Sequence, residues 1–320
     1  MNSRLQQNSS SSNIRFILPI LLFTSFICVP ILISYYEIDQ SKKSFSPVTL
    51  VKSLKLDDDE NVTKRFAAYG YNLSEIKQGN ASVPNIYLEN LPRELKTMQD
   101  ADVKKELFIS ALLPPILKVN EYIIYERNKL QDIIRSIEIN GQASANDLYW
   151  LRRKMIRYRM DEFNIEELYS RMNIIPPSLA LTQAAIETGW GSSRFAQEAN
   201  ALYGQWTWND EDGVIPLGRE EGKTHSIKKF DNLISAVESY ALNLNTHEAY
   251  EDFRYERSKF TRVENIDVRS LLVTLIFYSE LGYEYIDNLN SIIRINDLNQ
   301  FDQARLKKNS FQTIKLNPDP

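Results

Sequence analysis

Residues 178–208 read SLALTQAAIETGWGSSRFAQEANALYGQWTW. The stretch is apolar and rich in alanine up to Glu187, and Gly189 follows two residues later, so it predicts one helix and its end. Pro176, Pro177 and Ser178 form the expected start, because a serine oxygen accepts from free backbone N–H groups there. Gly189 suits the left-handed residue that follows a helix. Glu187 then falls in the last turn. The helix dipole is negative at that end, which disfavours a carboxylate and raises its pKa. That is a small defect for a surface glutamate and an advantage for a general acid that must keep its proton. Most helix glutamates only face solvent, but the neighbours of this one set it apart. Ala184 and Ala185 leave space beside it, Gly189 and Gly191 flank Trp190, and Tyr203, Trp206 and Trp208 supply aromatic faces of the kind on which sugar rings stack.

AIETGWGSSRFA followed by NALYGQW resembles the glucosaminidase motif of glycoside hydrolase family 73, an alanine-rich helix ending in E-[ST]-G-W-G-x-S and then N-L-[FY]-G. Within that family the chain resembles the Bax-type branch. GVIPLGREEGKTHSIKKF (213–230), LNLNTHEAYEDFR (242–254) and YIDNLNSIIRINDL (285–298) look like that group's continuation, so the resemblance spans about residues 107–301.

The resemblance implies an α+β fold, mainly α: a lysozyme-like domain with a helical lobe and a small β-lobe. It also implies hydrolysis of the β-1,4 bond after N-acetylglucosamine in peptidoglycan glycan strands, with no metal and no cofactor. Carried over by position, Glu187 would protonate the leaving glycosidic oxygen. A second carboxylate would be Glu220 or Glu221, with Glu211 and Asp212 further from the expected place; Glu221 is the candidate. Where no second carboxylate acts, the sugar's own acetamido group can be the nucleophile. The family's tyrosine corresponds to Tyr278, Tyr283 or Tyr285, and Tyr285 sits in the best register with the LNSII run. The candidate substrate contacts are Trp190, Tyr203, Gly204, Gln205 and Trp206.

Two other functions fit the same motif. One is a lytic transglycosylase, in which the muramic 6-hydroxyl attacks instead of water; LYGQW standing where such enzymes carry a G-L-M-Q type segment disfavours it. The other is a noncatalytic, membrane-tethered peptidoglycan binder or assembly factor, against which the intact motif around Glu187 argues.

On either side of the motif the pattern is helical. Ile116, Val119, Ile123, Leu130, Ile134 and Ile137 mark one face of a long helix begun at Pro114 and Pro115. Further helices are expected over 147–158, 233–244, 268–278 and 285–295, with Arg152, Arg153 and Lys154 as a solvated face. Strand-like alternation is confined to about 212–229. Residues 38–100 mix Ser, Asn, Asp and Pro without a lasting period and read as a linker or stalk before a catalytic domain at 101–302, with a tail at 303–320.

Residues 16–34 read FILPILLFTSFICVPILIS, 19 uncharged residues, close to the length that crosses a hydrocarbon core of about 30 Å. No alanine precedes Ala67, so a signal-peptidase site is not evident, and residues 1–37 read as a cytoplasmic tip and retained anchor held in the membrane by residues 16–36. Arg4 and Arg15 before the run, with Glu37 and Asp39 after it, put the N-terminus in the cytoplasm and the remainder on the periplasmic side of the inner membrane. The 38 Lys and Arg do not cluster and are outnumbered by 42 Asp and Glu, which argues against nucleic acid as a partner. One cysteine, Cys28, and two histidines, His225 and His247, leave little for a disulfide, a transition-metal site or a Ser-His-Asp hydrolase.

Overall fold

The computed structural model describes residues 53–55, 61–209, 211, 213–215, 226–260 and 265–308. The expected anchor at 16–36, Glu220, Glu221, Asp212 and His225 lie outside them. The described chain is mainly helical with one small sheet, in agreement with the α+β expectation.

Its spine is a 40-residue helix. After α1 (Val62–Ala68) and α2 (Leu73–Lys77) comes α3 (Ala101–Asn140), whose first turn is capped by Asp100, with Oδ1 accepting from Asp102 N at 3.0 Å and Val103 N at 3.1 Å. The helix was expected to start at Pro114 and Pro115, but it begins 13 residues earlier and passes through both. An interior proline costs about 3 kcal/mol or more. Here that is offset by burial on all sides, since Leu112 and Leu113 are fully enclosed and both prolines are buried. α3 is long and apolar enough to cross a membrane, yet that stretch is mostly covered by the protein's own packing, which makes it the core helix.

The front of α3 belongs to the main core. Its rear, with Leu130 and Ile133, packs with Leu151, Met155, Tyr158, Leu168 and Met172 of α4 (Ala145–Arg157), α5 (Ile165–Arg171) and the segments that follow them. The basic run 152–154 is not simply solvated. Lys154 pairs with Glu126 of α3, which is only 1% exposed, and Tyr158 donates to the same carboxylate at 3.3 Å. The partner is 28 positions away, out of reach of a local reading.

The linker expected over 38–100 is corrected in its second half. Val62, Phe66, Ile76, Val83, Leu88, Leu91 and Leu95 all enter the main core. Asn61 and Asn72 cap the two short helices, and the backbone of Val83 pairs in parallel with Leu306. Leu306 and Ala304 are buried too, so the chain beyond residue 302 starts as core and not as tail.

The rest is α6 (Pro177–Thr188), α7 (Arg194–Ala199), β1 (Trp206–Thr207), β2 (Gly213–Val214), β3 (Ser226–Lys228), α8 (Leu233–Thr246), α9 (Glu251–Ser258), α10 (Val268–Leu272) and α11 (Tyr283–Ile295). The strands form an antiparallel sheet in the order β1-β3-β2, with Trp206 opposite Ile227 and Val214 opposite Ile227 on the other side. The helix expected over 268–278 ends at Leu272 and tightens into a 3-10 turn, Val273–Leu275, where Thr274 Oγ1 donates to Leu271 O at 2.6 Å. α3, α10, α11 and the 3-10 helix Leu298–Gln303 surround α6, the element that carries Glu187.

Candidate active site

α6 has no polar face. Leu179, Ala180, Leu181, Ala184 and Ala185 are all buried, as expected of a helix packed on every side. Its start differs from the expected one. Pro176 takes the cap position, and Ser178 lies inside the first turn, donating its N–H to Asp302 Oδ1 and its hydroxyl to Asp302 Oδ2, both at 2.8 Å. An anion from 124 positions away thus satisfies the positive end of the helix.

Burial pushes the Asp302 carboxyl up from 3.8 to about 6, against the two Ser178 hydrogen bonds. Because the folded pKa is the higher one, the stability this group contributes is fully present below about pH 4 and is lost as pH rises through about 6. Asp302→Asn is therefore expected to be more stable than the wild type at pH 7.5 by on the order of 2 kcal/mol, and to lose that advantage near pH 4. Thermal melts of both proteins across that range test this, and a difference independent of pH would sink it.

The far end follows expectation. Gly189 adopts φ 58°, ψ 47°, and its N–H reaches back to Ala185 O and Ile186 O. Trp190 is also left-handed, φ 58°, a costly conformation for a bulky residue. Gly191 N donates to Thr188 Oγ1 at 2.8 Å, which helps to hold the turn. Trp190, a candidate substrate contact, is half-buried: its ring meets Phe108 of α3 edge-on at 5.6 Å, with Lys105 Nζ 5.8 Å from the ring centroid, which fastens the turn to the core.

Glu187 is exposed as a residue, but its carboxyl is closely flanked. A Cβ added to Gly204 would stand 2.8 Å from Glu187 Oε2, so the Gly204 backbone lies directly against the carboxylate. Gln183, one turn before Glu187, donates its Nε2 to the Tyr285 hydroxyl at 3.0 Å, and Tyr278 stacks on Tyr285 with centroids 5.7 Å apart. The Tyr250 ring lies 6.0 Å from that of Tyr278, centroid to centroid. Desolvation raises the Glu187 pKa above the ordinary carboxylate value, and the Tyr285 hydrogen bond opposes the rise. A carboxyl with such a pKa holds its proton further toward neutral pH.

Of the three candidate tyrosines, Tyr285 is buried and accepts from Gln183, Tyr278 stacks on it, and Tyr283 is 73% exposed. Tyr203, expected as a substrate contact, is buried and stacked on Tyr240 at 3.8 Å, while Tyr278 donates to its carbonyl at 3.1 Å. Its part is to fix the loop that brings Gly204 to Glu187. Gln205 O accepts from Lys228 N at 2.8 Å, tying that loop to β3. Trp206 on β1 and Trp208 after it are 49% and 77% exposed and present aromatic surface. Glu211 is exposed at the sheet, and among the described residues no group of three or more His, Cys, Asp or Glu could hold a metal.

Sequence reasoning missed Tyr250, Tyr240 and Gln183. Gln183 stands four residues before Glu187 on one helix face, so its spacing was a usable signal. The tyrosines gave none.

Residues 164–298 match the Glucosaminidase family model, described as mannosyl-glycoprotein endo-beta-N-acetylglucosaminidase. Protein bax of Escherichia coli (strain K12) is 28% identical over 210 residues, which cover 63% of this chain and 73% of that protein. No solved structure matches the chain significantly.

Proposed function

We propose, from the match of residues 164–298 to the Glucosaminidase family model and the similarity to Protein bax, that this protein hydrolyses peptidoglycan glycan strands at the β-1,4 bond after N-acetylglucosamine, with Glu187 as general acid. The observation that carries the reading is the Glu187 carboxyl at the end of a buried helix, its proton affinity raised by desolvation, with the Gly204 backbone directly against it. Glu187 gives its proton to the leaving glycosidic oxygen as the bond to C1 breaks. The positive charge at C1 is met by the sugar's acetamido carbonyl oxygen, or by water activated by Glu221 or Glu220. In the first route water then opens the cyclised sugar and gives its surplus proton to Glu187; in the second the attacking water gives its proton to Glu221 or Glu220, and Glu187 regains its own from solvent. The exposed rings of Trp206 and Trp208 offer stacking surfaces for the glycan, and the helical part and the small sheet form the two sides of a lysozyme-like cleft.

Mass spectrometry of muropeptides released from sacculi is expected to show N-acetylglucosamine at the new reducing end. A 1,6-anhydromuramic product would overturn this in favour of transglycosylation, and binding without release would leave a docking protein.

The domain is placed outside the cytoplasmic membrane, tethered by residues 16–36. The full-length protein is expected to stay with membranes through carbonate extraction, and release of a shorter soluble form would overturn the tether.

A further inference from the structure

Where the end of α5 meets the start of α9, a cavity of about 500 Å³ is lined by charge of both signs. Arg254 of α9 is the most enclosed of its charged residues, only 4% exposed. Its Nη1 donates to His247 O at 2.8 Å, while its Nε and Nη2 have no hydrogen-bond partner among the described residues and are not sealed from solvent. They are left for whatever enters. Arg171 is already engaged, with Nε on Glu167 at 2.6 Å and Nη1 on the carbonyls of Tyr158 and Arg159 at 2.8 and 2.9 Å. The last of these bonds helps to hold Arg159 in a left-handed turn, φ 53°, a costly conformation for a long side chain. The remaining charges are Arg159 and Arg254 against Glu248 and Glu251. No salt bridge joins any two of these four among the described residues, although all line the one cavity. His247 adds a neutral donor, because its Nδ1 accepts from Ala249 N at 3.2 Å and the ring hydrogen is then on Nε2.

Opposite charges that share a cavity without meeting are matched by a ligand that carries both signs close together. We propose that the cavity takes an α-amino carboxylate, with the carboxylate on Arg254 and Arg159 and the ammonium on Glu248 and Glu251, and that the group it recognises is the free side-chain end of a diamino acid in the peptide carried by muramic residues. This rests on the reading of the chain as a peptidoglycan hydrolase. Such a peptide is joined to the sugar through its N-terminus, so its first amine is an amide and its chain end offers a carboxylate alone. A diamino acid such as diaminopimelate keeps ammonium and carboxylate on one carbon until cross-linking turns that amine into an amide. The cavity therefore selects peptides that are not cross-linked there. Its placement fits. The His247 ring lies 5.8 Å from that of Tyr250, the Tyr250 ring 6.0 Å from that of Tyr278, and Tyr278 donates to Tyr203 O, beside the Gly204 that packs on Glu187. An extended peptide of three residues spans about 10 Å, a length comparable with that row of rings.

The tripeptide L-Ala-γ-D-Glu-meso-diaminopimelate is expected to bind the full chain in detergent saturably, as read by ligand-detected NMR. The same peptide acetylated on its free side-chain amine should bind at least about tenfold more weakly, since one charged hydrogen-bonding partner is lost. Arg159→Asn removes a cation and keeps a residue that tolerates the left-handed turn. Arg254→Gln removes the buried cation. Each should weaken binding by on the order of 10- to 100-fold, and Arg159→Asn alone decides should Arg254→Gln not fold. In cleavage assays, strands that keep uncross-linked peptides should show a lower KM than strands stripped of peptide by an amidase, and Arg159→Asn should narrow the difference.

Equal binding of the acetylated tripeptide, or unchanged affinity in folded Arg159→Asn, overturns the proposal. So does the absence of tripeptide binding in a protein that cleaves both kinds of strand alike, and that result leaves the hydrolase reading standing. Tripeptide binding that follows both controls, in a protein that cleaves neither strand, supports the cavity and sinks the hydrolase reading. Binding with the same KM on both strands would assign the cavity to a free amino acid and end its part in substrate recognition.

Discussion

Glu187→Gln is expected to lower release of reducing ends from sacculi by on the order of 10²- to 10⁴-fold, the usual worth of a general acid. The amide keeps the shape of the side chain but has no acidic proton to give. Glu187 is exposed and contributes little to the core, so circular dichroism and sedimentation with sacculi should be unchanged. That combination distinguishes lost chemistry from lost structure. The wild type should lose activity as pH rises through the raised Glu187 pKa, since the acid must be protonated, and the variant's residual activity should lack that limb. Glu220→Gln and Glu221→Gln should each cost far less if the acetamido group is the nucleophile, whereas a collapse in Glu221→Gln alone would name the second carboxylate. A folded Glu187→Gln protein working at the wild-type rate would end the enzyme reading built on this residue.

What the sequence displayed well was local. The end of α6 could be read because Gly189 marks it within one turn of Glu187, and a left-handed residue there follows from backbone sterics alone. What it hid was long-range. Ser178 looks like a cap in isolation, but its oxygen is occupied by Asp302, 124 positions later. The segment 61–98 has no lasting period because it enters the core through single residues on short helices and turns, so burial there leaves no repeating pattern. The two prolines of α3 mark a helix start by the usual rule, and only the depth of the surrounding core shows why the helix passes through them. The aromatic run was legible as a group and not residue by residue. Tyr203 and Trp206 are three apart, yet one is enclosed against Tyr240 and the other stands at the surface. Gln183 finds its hydrogen-bond partners in Tyr240 and Tyr285, which lie 57 and 102 positions on.

The loop that carries Gly204 leads to the second large effect, in Gly204→Ala compared with Gly141→Ala. Both glycines are left-handed, at φ +61° and +77°. A side chain in that conformation costs about 1–2 kcal/mol, so both variants should lose stability by that amount. Their surroundings differ. Gly141 follows the end of α3 with nothing within 4 Å of an added Cβ, while at Gly204 that atom would lie 2.8 Å from Glu187 Oε2 and 3.6 Å from Glu187 Cδ. The carboxylate must then move away, which takes it off the line to a glycosidic oxygen. A displacement of about 1 Å in a reacting group is worth on the order of 10²-fold in rate. Gly204→Ala should therefore lose about that much activity, and Gly141→Ala, melting at a similarly lowered temperature, should keep nearly all of it. Equal activities in the two variants would mean that the approach of Gly204 to Glu187 does not position the acid, and the destabilisation common to both would then account for the whole effect.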